Sequence, residues 1–260
     1  MPYVAVSALS HPGLLRERNE DSLVAGPWTL CATVTENPQT LVFPLGTPLV
    51  VAVADGLGGH PSGDVASSLV ARRIASVGSL LTGEDLVRDA LVACNRAVHE
   101  AASDEGGELT GMGTTVAGVV VLPGSALVFN VGDSRVYAAS PDGLRQVSVD
   151  DSPPLEPGRR TTSLVTQCLG GSVGYHAVHP HVTTAPLTPG ERYLICTDGL
   201  SDPVTTDVLD AVMREHDDVR AAFELWKCAI AAGGPDNITL AVVRVTDDGG
   251  TDESPAGSGS

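Results

Sequence analysis

Lysine is nearly missing from this 260-residue chain: Lys227 stands alone, and 15 Lys and Arg face 32 Asp and Glu for a formal charge of −17. A field of that sign repels nucleic acid and the anionic face of a membrane, which removes polyanions from the classes of partner. Cysteine is equally sparse, with Cys31, Cys94, Cys168, Cys196 and Cys228 far apart and never paired as C-x-x-C. That excludes a disulfide framework or zinc ribbon and predicts buried thiols in a reducing compartment, so a cytoplasmic location is expected. The first 21 residues lack a basic segment followed by an apolar run, and no stretch approaches the roughly 18 apolar residues of a spanning helix. No membrane insertion is expected.

What remains is a chain for packing, with 42% apolar and 18% charged residues. The one composition break opens residues 246–260, TDDGGTDESPAGSGS, which predicts a disordered acidic, Gly- and Ser-rich tail after a single domain over 1–245. β-Branched runs that end at turn residues predict strands over 49–56, 114–122, 126–133, 135–140, 192–199 and 238–245, with Leu122-Pro123-Gly124-Ser125 as a hairpin turn. Helical spacing predicts one helix pair over 63–81 and 84–102 and another over about 202–215 and 220–232. Strands joined by hairpins and helices grouped in pairs imply α+β layering of antiparallel sheets, not alternating βαβ units.

Three carboxylates share one placement. Asp55, Asp133 and Asp198 each follow an apolar run and precede Gly or Ser, in VAVADG, FNVGDS and LICTDG. Asp236 directly precedes the last strand, and Asn19-Glu20-Asp21 lies near the N-terminus. Any one of these reads as an ordinary turn residue, but the recurrence points to a site at strand ends. Carboxylates gathered without His or Cys select hard dications, Mg²⁺ or Mn²⁺, over zinc. Asp55-Gly56-Leu57-Gly58-Gly59-His60 lacks the ending of a P-loop and the spacing of a dinucleotide site. His176, His179 and His181 offer zinc-like spacing, yet without an HExxH or CxxC partner they read as surface histidines, and Cys196 reads as a core thiol.

Six motifs, in order, carry a resemblance: Ser10-x-x-Gly13-x-x-Arg16-x-x-Asn19-Glu20-Asp21, Asp55 to His60, Gly113-Thr114-Thr115, Gly132-Asp133-Ser134-Arg135, Thr197-Asp198-Gly199-Leu200 and Asp236-Asn237. The chain resembles the metal-dependent protein phosphatases of the PPM group, protein phosphatase type 2C, in their bacterial form. The resemblance implies a central β-sandwich of two antiparallel sheets flanked by helix pairs, in α-β-β-α layers. It implies that Asp55 bridges two metal ions, that Asp198 and Asp236 complete the first, and that the Gly56 carbonyl helps hold the second. Glu20 and Asp21 would steady the second ion through water, Asp133 with Asp198 would take a possible third, and Arg16 would hold the substrate phosphate.

Chemistry agrees with that assignment. Water shared by two dications is a good nucleophile at neutral pH, and a guanidinium fork suits a phosphate dianion in a way that an ammonium does not. The leaving alkoxide needs a proton, for which His60 is the nearest candidate. Relatives with DGH place the histidine directly after the glycine, whereas here Leu57 stands there. Residues 28–48 look like an insertion that lengthens a hairpin, and the stretch 150–171 like a shortened flap. The expected function is hydrolysis of phosphoserine and phosphothreonine on proteins by a binuclear-metal-activated water, opposing a cytoplasmic Ser/Thr kinase, by a monomer. The alternative is a catalytically silent module of the same fold that binds phosphoproteins or a kinase.

Overall fold

The computed structural model describes residues 2–57, 62–104, 109–153, 164–187 and 190–246. His60 and almost all of the predicted tail therefore lie outside the described residues. The chain runs through Tyr3–His11 (β1), Ser22–Ala25 (β2), Trp28–Cys31 (β3), Gln39–Pro44 (β4), Leu49–Ala54 (β5), Gly56–Leu57 (β6), Gly63–Val77 (α1) and Glu84–Asp104 (α2). It continues through Gly113–Thr114 (β7), Val116–Leu122 (β8), Ser125–Val131 (β9), Arg135–Ser140 (β10), Gly143–Gln146 (β11), Leu169–Gly170 (β12), His181–Pro186 (β13) and Arg192–Cys196 (β14). Asp198–Ser201 (α3), Thr206–Glu215 (α4), Asp218–Ala231 (α5) and Ile238–Thr246 (β15) complete it.

Two six-stranded antiparallel sheets result, ordered β11-β10-β14-β15-β1-β4 and β13-β9-β8-β5-β2-β3, with a short β12-β7-β6 ribbon beside them. The inner strands read as unbroken apolar runs because both of their faces are covered. Along β8, Ala117, Val119 and Val121 face the other sheet, while Val116 and Val120 face α1 and α2. Along β15, Ala241, Val243 and Val245 point between the sheets, and Leu240 and Val242 point to α4 and α5 with Leu209, Met213 and Leu225. Three apolar layers thus separate helices, sheet, sheet and helices, which is the expected α-β-β-α order.

The expected strands end earlier than predicted where chemistry begins. β5 stops at Ala54, β9 at Val131 and β14 at Cys196, so Asp55, Asp133 and Asp198 sit just past the sheets, and Asp198 opens a one-turn helix. The register puts these ends together. Ser22 pairs with Ala54 in one sheet, and Arg135 with Cys196 and Cys196 with Leu240 in the other, so one end of the sandwich receives every carboxylate. β1 and β13 escape sequence detection because Ser7, Ser10, Thr183 and Thr184 interrupt their apolar pattern. The 28–48 segment does more than lengthen a hairpin. It forms β3, paired to β2, then crosses to give β4 on the edge of the other sheet.

Phe129 on β9 is fully buried between its sheet and the first helix pair. Phe129→Ala should cost about 3–5 kcal/mol in urea unfolding, and a loss below about 1 kcal/mol would show that this layer is not close-packed.

Candidate metal centre

Backbone contacts deliver the acidic side chains. The Asp55 carbonyl accepts from the Thr115 amide (2.9 Å) and the Thr114 hydroxyl (2.7 Å), and the Asp55 amide donates to Thr115 Oγ1 (3.3 Å). Thr115 Oγ1 also lies 2.7 Å from Ser134 Oγ, which joins this clamp to the turn that carries Asp133. Asn237 plays the same part on the other side. Its Nδ2 donates to the carbonyls of Pro12 (3.1 Å) and Arg18 (2.8 Å), and its Oδ1 accepts from the Glu20 amide (2.8 Å). The loop with Arg16, Glu20 and Asp21 is thereby sewn to Asp236. Gly13, at φ +77°, lies so close to the Asp236 carbonyl that a Cβ would not fit. Gly56 packs against Gly63 at the start of α1 and the Glu20 carbonyl, again without room for a Cβ.

Burial sets the electrostatics. Asp198 lies close enough to act on Asp55, and burial followed by the Asp198 charge holds Asp55 well above the usual carboxylate range. Burial also pushes Asp198 up to about 6, Asp133 up to about 7 and Asp21 up to about 8. The neighbouring acids add to each shift, the Asp198 charge acting on both Asp133 and Asp21. Thr197 Oγ1 donates to Asp21 Oδ2 at 3.0 Å, but Asp21 Oδ1 and Asp198 Oδ1 are buried without a hydrogen-bond partner. Arg16 Nη2 donates to Asp236 Oδ2 at 2.7 Å, and that bond raises the guanidinium's pKa.

Among the described residues, no three Asp, Glu, His or Cys side chains form a ready ligand cage. Asp236 is turned to Arg16. The donors nonetheless fit hard dications. They are oxygens only, two of them are buried and orphaned, and their mutual repulsion is what a nearby 2+ charge reverses. The three histidines do not converge: His181 Nε2 meets Asp151 Oδ1 (2.9 Å), His176 lies by Ser172 and Gly174, and the His179 amide bonds Gln167. Cys196 is a core thiol that burial pushes up to about 12.

One residue escaped the sequence reading. Asp151 Oδ2 accepts from the Gly132 amide and from Gln167 Nε2, both at 2.9 Å, while its Oδ1 meets His181. It thus joins the Asp133 turn to two later segments. Its signal was available, since Asp150-Asp151 is another acidic pair just before a Pro-rich stretch.

The family model for protein phosphatase 2C matches residues 42–232. The chain belongs to the protein phosphatase 2C family. It is 32% identical over 255 residues to serine/threonine protein phosphatase PstP of Mycobacterium tuberculosis H37Rv, which covers 93% of this chain and 45% of that protein. The chain therefore spans about half the length of this relative. Identity to serine/threonine phosphatase stp of Listeria monocytogenes EGD-e is 28% over 252 residues, covering 89% of this chain and 92% of that one. The solved catalytic domain of PstP, in complex with two manganese ions, matches 94% of this chain and 100% of its own at 31% identity and a TM-score of 0.76. A protein phosphatase 2C fold thus accounts for both sheets and the helix pairs.

The raised carboxyls have a sign. Between about pH 4 and 8 the folded, metal-free protein retains protons that the unfolded chain has released, so its stability falls as pH rises through that window. Asp21→Asn removes the charge but keeps an acceptor for Thr197. In EDTA at pH 8 it should stabilise the protein by on the order of 1–3 kcal/mol in urea unfolding, with little effect at pH 5. A loss of stability at pH 8 would contradict the electrostatic account.

Proposed function

We propose that residues 1–245 act as one metal-dependent protein serine/threonine phosphatase domain. The observation that carries this reading is the crowding of half-buried Asp55 and Asp198 with the buried, orphaned oxygens of Asp21 and Asp198. A buried charge without a partner costs several kcal/mol, so this cluster is expensive in a protein that never meets a cation. Asp55, Asp198, Asp236 and the Gly56 carbonyl would hold two ions, Mn²⁺ or Mg²⁺, with Glu20 and Asp21 behind them and Asp133 available for a third. When bound, such a pair lowers the pKa of a shared water and neutralises phosphoryl oxygens.

The chain's own residues do the rest. Arg16 presents a planar guanidinium, 56% exposed, at the rim of the acidic cluster, where it would orient a phosphomonoester by paired hydrogen bonds. Asn237 and Gly13 anchor the backbone of the loop that carries Arg16 beside Asp236. The Thr114–Thr115 clamp holds Asp55 against the repulsion of its neighbours. His60 is proposed to protonate the departing serine or threonine oxygen. Phosphorylated proteins made by a cytoplasmic Ser/Thr kinase are the proposed substrates, and five free thiols suit that compartment. Among the described residues no helix is long and apolar enough to cross a membrane. We propose a monomer as the working form.

The silent-module alternative makes the opposite forecast. With Mn²⁺, the protein should release phosphate from p-nitrophenyl phosphate and from a phosphothreonine peptide, and EDTA should abolish both. Asp55→Ala and Asp198→Ala should each reduce kcat/KM at least about 10³-fold with an unchanged circular dichroism spectrum, and Arg16→Ala should act mainly on KM. Metal-replete protein that binds phosphopeptide without turnover would establish the silent module instead.

A further inference from the structure

The loop that brings Arg16 to the site also turns two leucines outward. Leu14 is 59% and Leu15 73% exposed. Slackness does not explain this, because the loop is anchored at both ends and between. Asn237 holds the carbonyls on both sides of the pair, at Pro12 and Arg18, the Leu14 amide donates to the Gly234 carbonyl at 2.8 Å, and Gly13 is pressed on Asp236. The leucines are presented on a fixed support.

Their surroundings are apolar too. Gly234, at φ +48°, lies between the Leu14 and Ile230 side chains, whose atoms come within 3.1 and 3.2 Å of where its Cβ would be. Next to it Ala231, Ala232, Gly233 and Pro235 are exposed and carry no charge. In a chain of net charge −17 this gives an uncharged shelf that begins one residue from the guanidinium proposed to hold phosphate.

We propose that Leu14 and Leu15 determine substrate specificity by receiving an apolar side chain that flanks the phosphorylated serine or threonine. The proposal rests on the phosphatase reading and deepens it by naming a class of substrate sequence. Leu15 directly precedes Arg16 in the chain, and an extended peptide rises about 3.3 Å per residue, so a peptide with its phosphate on Arg16 is to place a side chain one to three residues away on the shelf. An acidic flank would find no cation in Leu14, Leu15 or residues 231–235.

The test uses the 260-residue chain with Mn²⁺ and phosphothreonine peptides that differ only by Leu or Asp at the three positions on either side of the phosphoresidue. The Leu peptides should show about tenfold higher kcat/KM, expressed in KM. Leu14→Ser/Leu15→Ser should erase that preference with kcat within about twofold, and Leu14→Met/Leu15→Met should restore it. Equal efficiency on both peptide sets, with normal turnover of p-nitrophenyl phosphate, overturns the shelf and leaves the phosphatase reading intact. No turnover of p-nitrophenyl phosphate overturns both. A double Ser variant that keeps the preference but dissociates a dimer in sedimentation identifies the shelf as a contact between copies, and also overturns the proposal.

Discussion

Mutual repulsion among buried carboxylates is the constraint to which the rest of this structure answers. Asp21 and Asp133 are buried and Asp55 and Asp198 half-buried where they approach one another, and loss of hydration raises the pKa of every one. Left to their own energetics they would separate or point to solvent. They are held by groups that contact their backbones or flank them: the two threonines on Asp55, Asn237 beside Asp236, and glycines at which no Cβ would fit. Close approach of backbones, not affinity among side chains, gathers the site.

The sandwich makes such a gathering affordable only at its ends. Along the inner strands both faces are covered, and β5 and β8 place valine and alanine on each. A charge inside those strands would lie in an apolar layer with no partner. One residue past the last ladder bond, the same chain is free to turn. The antiparallel register brings β2, β5, β14 and β15 to a common end, so that residues 21 and 236, far apart in sequence, share one small volume.

The layers and most of the site were legible in the sequence for one physical reason: apolar runs buried on both faces are continuous, and they stop abruptly at Asp-Gly or Asp-Ser. That pattern located Asp55, Asp133 and Asp198 at strand ends before any coordinates. β1 and β13 were not legible, because the buried Ser7 and Ser10 break the apolar run of β1, Ser10 Oγ finding Thr239 Oγ1 across the sheet, and the edge strand β13 needs little apolar surface. The course of residues 28–48 was also hidden, since sheet assignment depends on partners that lie elsewhere in the chain. Asp151 was overlooked for a related reason. Its role is visible only when Gly132, Gln167 and His181 are seen around it.

The same logic separates what Arg16 does from what the acids do. Asp21 and Asp133 are buried and Asp55, Asp198 and Asp236 half-buried, whereas Arg16 is largely solvent-exposed and bonded to Asp236, which suits a group that meets an incoming ligand. The central claim is that the acids exist to trap paired dications. Anomalous diffraction from crystals soaked in saturating Mn²⁺ tests it most directly: the account predicts two manganese peaks bridged by Asp55 and flanked by Asp198 and Asp236. A map without anomalous density between those residues would contradict it.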